Sequence, residues 1–410
     1  MRPLSVEELA EILAIKFDAG ILPNYDVNWR PENSEEAVLL ACSSLIIIVI
    51  VNGSRVAQFS HYSVKEYLTS QRLANAGKHL SRYHILPHSA HTILAQASLC
   101  VLLALDRQVD KESVTKYPLT IYAARYWVDH AQFEDVASNI EDEMERLFDP
   151  FKSHFATWVW VYDIDYPFRE ILFFPRPTLP WAGPLYYATL CGFRHLVKRL
   201  IITRLQDVNA SGGYHGNPLH AAVVKGNVDM TMLLLGHGAD ATARNHDSKT
   251  PLYEATQRAH LDVMELLFKH HADADACDGV GNTPLFCATV NGQLDAARVL
   301  LRNGASVDAP DDFGRTPLDA ASQLGYVDIA CLLLQNGAAV DSRDKDGRTP
   351  LIFASREGHA DIVNILLQSG SAVDAWQNAG WTSLMLASEY GHLDVIHLLL
   401  QAGKLPYSPR

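Results

Sequence analysis

A chain of 410 residues, 48% hydrophobic and 20% charged, has the composition of an ordinary globular protein and the length for two or three domains. Its net charge of -13 is spread evenly, with 16 basic and 23 acidic residues through Ala182 and 18 and 24 beyond it. Neither half therefore carries the basic footprint of a nucleic-acid or anionic-membrane binder. The longest apolar run, Leu45 to Val51, is too short to cross a bilayer, and Glu7, Glu8 and Glu11 interrupt the amino terminus where a secretory signal would be apolar. The six cysteines, at positions 42, 100, 191, 277, 287 and 331, show no paired spacing and read as buried thiols of a reducing, cytoplasmic compartment.

The first elements in chain order are helix starts. Ser5 with Glu8, Asn33 with Glu36 and Ser63 with Glu66 each place a capping residue three positions before a Glu, ahead of an apolar-periodic stretch. Between the second and third lies the run Leu45 to Val51, then Asn52-Gly53, then the alternating Arg55 to Phe59, which predicts a β-hairpin with a two-residue turn. Helices, a hairpin and a further helix give residues 1–76 the layout of a winged-helix-like domain. Such domains can read DNA, but the second helix would bring Glu35 and Glu36 to the phosphates with no base beside them, so nucleic acid is not the expected partner.

Residues 77–182 read as a helical connector. Thr92 to Leu105 is a long apolar helix candidate, Leu119 to His130 is amphipathic and aromatic, and Glu141 to Phe148 continues the pattern. Pro175, Pro177, Pro180 and Pro184 then break the periodicity and mark a boundary. The helices bearing Trp158, Trp160 and Trp181 are expected to cover the open apolar end of the segment that begins at residue 183. His84, His88 and His91 lie close in sequence, but Pro87 interrupts any helix that would align them, and no Cys or acidic ligand is near; a metal site is not expected. His270-His271 reads as a helix end, where imidazoles meet free carbonyls. No Cys-x-x-Cys, His-Glu-x-x-His or Gly-x-Ser-x-Gly occurs. The expectation is a protein that is not an enzyme, with no cofactor, no metal and no small-molecule substrate.

From residue 183 the sequence keeps a 33-residue clock. Thr250-Pro251-Leu252, Thr283-Pro284-Leu285, Thr316-Pro317-Leu318, Thr349-Pro350-Leu351 and Thr382-Ser383-Leu384 hold it without slippage, and Asn217-Pro218-Leu219 and Gly183-Pro184-Leu185 extend it backward with one extra residue between them. Thr caps a helix through its hydroxyl, Pro occupies the first helical position, and Leu is buried. Nine residues after the Thr or Asn, Gly226, Gly292, Gly325, Gly358 and Gly391 offer the left-handed conformation that stops a helix. A second helix comes next and ends at Gly238, Gly304, Gly337, Gly370 or Gly403. Turn-rich segments such as Asp311 to Arg315 and Asp344 to Arg348 join the units as projecting hairpins. The Asp residues that recur at 240, 308, 341 and 374 read as turn formers. This pattern closely resembles the ankyrin repeat, and it implies a mainly α chain: an ankyrin-repeat solenoid over residues 183–410, preceded by the winged-helix-like domain and the connector. The unit opening at Thr250 has Ala259 and His271 in place of its two glycines. Either these take the left-handed conformation at a cost of about 1 kcal/mol each, giving a weaker seam, or they form ordinary helix ends.

In an ankyrin solenoid the hairpin tips and first-helix ends form the recognition surface. The residues that land there vary between units: Gln257, Arg258, Val280, Asn282, Asp312, Phe313, Arg315, Lys345, Asp346, Arg348, Arg356, Glu357, Asn378, Trp381 and Tyr390. Of these, Phe313, Arg315, Arg348 and Trp381 are the expected anchors for a protein partner, since aromatic and Arg side chains dominate interfaces. Trp376 and Trp381 flank one tip and either anchor a partner or brace each other.

Arg2 to Ala10 and Phe59 to Leu68, with Tyr83 to Pro87 and Tyr122 to Trp127, are similar to the segments that follow the NACHT nucleotide-binding domain in fungal NLR-like receptors ending in ankyrin repeats. That resemblance implies a signalling role in self/non-self recognition or defence. It also places His61 at a position that touches nucleotide in the wider receptor class. No phosphate-binding loop occurs here, so no nucleotide is expected, and the chain reads as a truncated receptor, a free adaptor or a decoy.

Overall fold

The computed structural model describes residues 15–16, 24–25, 46–51, 54–59, 87–105, 114, 118–166 and 180–403. Two compact units emerge: residues 1–206 with 212–214, and residues 207–211 with 215–410. The division falls one helix pair beyond the proline cluster, which sets residues 183–204 with the preceding helices.

In the first unit, β1 (Ile15–Lys16) pairs antiparallel with β2 (Asn24–Tyr25), and β3 (Ile46–Val51) with β4 (Ser54–Phe59). Val51 lies opposite Ser54 and Ile46 opposite Phe59, the register that a two-residue Asn52-Gly53 connection dictates. The three capped helix starts and His61 lie outside the described residues. Beyond the hairpin come α1 (Pro87–Ala104), α2 (Pro118–Ala131), α3 (Val136–Asn139), α4 (Glu141–Leu147) and α5 (His154–Val161). Pro87 does not interrupt a helix; it opens one, since the first helical position needs no amide hydrogen. His88 and His91 therefore share α1, while His84 lies outside the described residues. His91 Nδ1 meets His130 Nδ1 at 2.8 Å, and His88 Nε2 meets Asn139 Nδ2 at 3.1 Å. Among the described residues no group of three or more His, Cys, Asp or Glu could hold a metal ion.

The first repeat pair, α6 (Pro184–Leu190) and α7 (Arg194–Arg204), belongs to this unit because aromatic rings bind it there. Trp127 and Trp158, both with no exposed surface, stand 5.3 Å apart between ring centres; Tyr187 packs on Phe155 at 5.5 Å and on Trp158 at 6.0 Å, and Phe193 stacks on Trp127 at 5.4 Å. Edge-to-face pairs of this kind add about 0.5–1.5 kcal/mol each beyond their burial. Two of the polar tips are satisfied: Trp158 Nε1 donates to the Ala124 carbonyl at 2.9 Å, and the Tyr187 hydroxyl donates to Asp163 at 2.8 Å, while Trp127 Nε1 is buried without a partner. Trp181, expected among the covering residues, is 60% exposed and touches Tyr166 at the margin.

The second unit stacks six helix pairs: α8 (Pro218–Val224) with α9 (Val228–Gly236), α10 (Pro251–Gln257) with α11 (Leu261–Lys269), α12 (Pro284–Val290) with α13 (Leu294–Arg302), α14 (Pro317–Leu324) with α15 (Val327–Gln335), α16 (Pro350–Glu357) with α17 (Ala360–Gln368), and α18 (Ser383–Glu389) with α19 (Leu393–Ala402). Each first helix is capped as its tripeptide predicts. The side chains of Asn217, Thr250, Thr283, Thr316, Thr349 and Thr382 accept from the backbone N–H three residues on. The Leu after Pro is fully buried at positions 252, 285, 318 and 351.

The seam between consecutive pairs has its own rule. The residue ahead of each second helix reaches back to the last turn of the preceding first helix, where its ring fills the space left by the missing Cβ of a glycine. His260, His359 and His392 lie against Gly226, Gly325 and Gly358, and their Nε2 atoms bond the carbonyls of Val224, Gln323 and Arg356 at 3.3, 3.1 and 2.9 Å. A Cβ on any of those glycines would come within 2.9 Å of the imidazole. Where the glycine is replaced by Ala259, the next pair supplies the slender Gln293, whose amide donates to the Gln257 carbonyl at 3.1 Å. The substitution and its partner therefore make physical sense together.

Ala259 (φ 56°) and His271 (φ 63°) are both left-handed, which excludes ordinary helix ends at these two positions. Gly403 departs the other way: its φ of -68° is helical, and it lies at the end of α19 without a left-handed turn. Ala259→Gly and His271→Gly are each expected to raise stability by about 0.5–1 kcal/mol, relief of left-handed strain less the entropy glycine adds to the unfolded chain. A higher urea midpoint at unchanged slope is the readout; a lower midpoint would show that these sites carry no strain.

Candidate protein-interaction surface

Four hairpins are each built on one acid or amide, and the one at Gln377 is closed by backbone bonds alone, Gln377 N–H donating to the Trp381 carbonyl at 3.0 Å. Asp311 Oδ1 accepts from the backbone N–H of Phe313 and Arg315, both at 2.8 Å, and Asp344 does the same for Asp346 at 3.0 Å and Arg348 at 2.8 Å. Asp278 holds Val280 and Asn282, and Asn245 holds Asp247 and Lys249. These are Asx turns closed a second time, four residues on. The other carboxylate oxygen takes a side chain: Arg315 Nε at 2.8 Å on Asp311, Arg348 Nε at 2.7 Å on Asp344, and Asn282 Nδ2 at 3.2 Å on Asp278. Burial disfavours the charged form of Asp278, yet its bonds from Val280, Tyr253 and Asn282 outweigh that and hold its carboxyl below the ordinary range.

Several residues expected on the recognition surface are thus committed within the hairpins. Arg315 and Arg348 are paired with carboxylates that are nearly inaccessible, and their guanidinium groups lie over Phe286 and Phe313 at 5.4 Å and over Phe353 at 4.9 Å. Arg258 pairs with Glu254, and Lys249 bonds Gln257 at 3.1 Å. Asn378 ties its own hairpin to the one before: its backbone N–H donates to the Asp346 carbonyl at 2.8 Å and its side chain to the Lys345 carbonyl at 3.0 Å. Lys345 N–H in turn donates to the Phe313 carbonyl at 3.0 Å. Asp312 lies against Gly281, Asp346 meets Arg348 at 3.0 Å, and Glu357 lies 3.8 Å from Arg356, whose guanidinium stands over Tyr390 at 5.9 Å.

Apolar groups are open on two of these hairpins, beside the exposed side chains of Asp312 and Lys345, and at the two ends of α18. Phe313 is 60% exposed, Val280 54%, Tyr390 52% and Trp381 38%. No ring contact joins Trp376 to Trp381 among the described residues; Trp376 itself bridges antiparallel to Thr382, the residue after Trp381. Sequence reading missed Val290 and Leu324, exposed at the ends of α12 and α14. Their signal was an apolar residue at helix-end positions where neighbouring repeats carry Gln257, Arg356 or Glu357. It also took the recurring Asp residues for local turn formers. Asp308 and Asp341 instead accept the backbone N–H groups of Ala339 and Ala372, one repeat on, each at 3.0 Å.

The fold and its hairpins define a repeat protein of the binding kind. The family profile of ankyrin repeats in three copies matches residues 185–278, 267–344 and 336–408, and the chain belongs to the ankyrin-repeat family. It is also similar to a protein of Monascus ruber named "Azaphilone pigments biosynthesis cluster protein L", with 29% identity over 255 residues. The match takes in 58% of this chain and 53% of that one, so the chain spans about half the length of that relative. No helix among the described residues is long and apolar enough to cross a membrane.

One buried acid makes the array sensitive to pH. Asp319, in the first turn of α14, accepts from the Thr316 N–H at 2.8 Å and the Thr316 hydroxyl at 2.9 Å, while its other oxygen has no partner. Burial pushes its carboxyl up to about 7, with Asp344 and Asp311 adding repulsion. A folded value above the ordinary 3.8 means the protonated form stabilises the fold; that contribution is complete below about pH 4 and is lost as pH rises through about 7. Asp319→Asn keeps the capping oxygen without the charge. Between pH 4 and 7, wild-type stability is expected to fall relative to this variant, by on the order of 1 kcal/mol per unit at most, in urea titrations across the range. Parallel profiles for the two proteins would contradict this.

Proposed function

We propose that this chain is a non-catalytic, cytoplasmic protein-interaction module whose hairpin tips and first-helix ends, from residue 245 to residue 390, receive a protein partner. One observation carries the reading: Phe313 and Val280 stand exposed on hairpins that Asp311 and Asp278 hold together, and Trp381 and Tyr390 stand exposed at the two ends of α18. Rigid aromatic anchors lose little entropy on binding and dominate interface energetics. The cap-like packing of α2, α4 and α5 on α6 and α7 fits a solenoid whose first repeat is closed by the connector, leaving recognition to the surface beyond it.

The larger role we infer is regulatory, in the manner of NLR-like receptors with ankyrin repeats, resting on the similarity of residues 2–10, 59–68, 83–87 and 122–127 to the segments after the NACHT domain of such receptors. The relative's name speaks for a second reading, a stand-alone adaptor, because it ties that protein to a biosynthesis cluster rather than to a receptor.

The test substitutes exposed side chains and spares the braces. The double variant Phe313→Ala, Trp381→Ala is expected to weaken capture of the partner by roughly tenfold or more, in quantitative cross-linking against wild type. Phe151→Ala, exposed in the first unit, serves as the control and should leave capture unchanged. Undiminished capture by the double variant would exclude the hairpin surface.

A further inference from the structure

His91, near the start of α1, and His130, near the end of α2, meet with Nδ1 on Nδ1 at 2.8 Å. At that distance the two nitrogens share one proton, because one must donate and the other must be bare to accept. Nε2 of His130 bonds the Tyr122 hydroxyl at 2.9 Å, and Phe133 stacks on the His91 ring with centres 4.1 Å apart. The chain of bonds closes with both rings neutral in either tautomer, and it also closes with His91 charged, when His91 donates to His130 and His130 to Tyr122. Two charged rings cannot close it, since hydrogens on both Nδ1 atoms would face each other. The turn after α2 adds a bias toward opening: Glu134 stands in the left-handed region at φ 41°, where a residue with a Cβ is strained.

We propose that the His91–His130 pair is an acid-sensitive clasp, which a second proton breaks, so that the start of α1 parts from the end of α2 and from the turn after it while the repeat array keeps its fold. The groups around the pair give that proton little counter-charge. Glu134 favours a charge on the half-buried His91, whereas His130 is only 3% exposed. Glu134 also lies 3.9 Å from His88, whose Nε2 is held by Asn139. From α2 come the phenols of Tyr122 and of Tyr126, which packs against it. The strand β2, which also packs on α1, contains only Asn24 and Tyr25. Helices α4 and α5 pack on α1 farther along, where Glu143 and Arg146 act on Cys100 and His154 Nδ1 meets the Leu105 carbonyl at 3.0 Å. Burial, then the charges of His91 and of the chain's amino group, hold His130 down at about 4, and burial lowers His91 against the pull of Glu134. Folded values below the ordinary 6.5 mean that the neutral pair stabilises the closed form: its contribution is complete above about pH 6.5 and is lost as pH falls toward about 4.

Hydrogen exchange of the full chain, followed by mass spectrometry at about pH 7.5 and about pH 5 with rates corrected for the intrinsic effect of pH, tests the clasp. Opening of residues 87–95 and 126–135 is expected to rise by roughly tenfold or more in acid, while α12 and α13 lose no protection. His91→Asn keeps a bonding group near the Nδ1 position and cannot carry a charge, so most of the acid response should vanish. His88→Gln, on the same helix, should retain it. If the His91 variant opens at both pH values, ring titrations of the wild type by NMR decide: the clasp requires His91 to take up its proton first and His130 to remain neutral at about pH 5. Equal opening of the wild type at the two pH values, an acid response undiminished in His91→Asn or missing in His88→Gln, loss of protection spread over the array, or both rings titrating at the ordinary value would overturn the proposal.

Discussion

The repeat array depends on a contact smaller than any helix interface: the last turn of each first helix, where a left-handed residue lets the next repeat insert a side chain onto a carbonyl. Glycine serves twice there. It adopts the positive φ that ends the helix, and it leaves room for the imidazole that the following repeat sends back. Loss of the glycine therefore has consequences one repeat away. Ala259 keeps the left-handed turn but fills the space, and Gln293 stands where a ring would clash. Tyr326, whose ring lies over Gly292, keeps the ring and forgoes the bond.

The hairpins follow a parallel logic with a different donor. At Asp311 and Asp344 a buried carboxylate gathers two backbone N–H groups and one side chain, so these tips are braced before any partner arrives. Because Arg315 and Arg348 are used inside this brace, the exposed surface is left mostly to apolar groups. The same chemistry that orders the tips thus decides what they present.

Much of this architecture was legible in the sequence, since it is local and periodic. The Thr-Pro-Leu caps, the glycine stops, the Asn52-Gly53 hairpin and the odd repeat at Thr250 all arise from propensities acting over a few residues. The recognition surface was only half legible. Counting aromatic and Arg residues at variable positions found Phe313 and Trp381, but spacing could not reveal that Arg315 and Arg348 are held by Asp311 and Asp344. Nor could it show that Asp308 and Asp341 act on the following repeat. Pro87 is ambiguous in the sequence because proline both ends and begins helices, and only the packing of α1 decides which. Trp127 lies within a stretch that carries a family resemblance, yet its central place in the first unit depends on residues 31 and 66 positions away, Trp158 and Phe193.

The aromatic cluster around Trp127 and Trp158 bears on how such a protein can be altered by insertion and deletion. Whole repeats are interchangeable parts when each meets only its like. The pair formed by α6 and α7 is not of that kind, because Tyr187 and Phe193 are fitted to rings outside the array. The stretch of chain in which a 33-residue unit can be gained, lost or exchanged without remaking a core therefore opens at Asn217, and the helix pair before it is inherited with the connector.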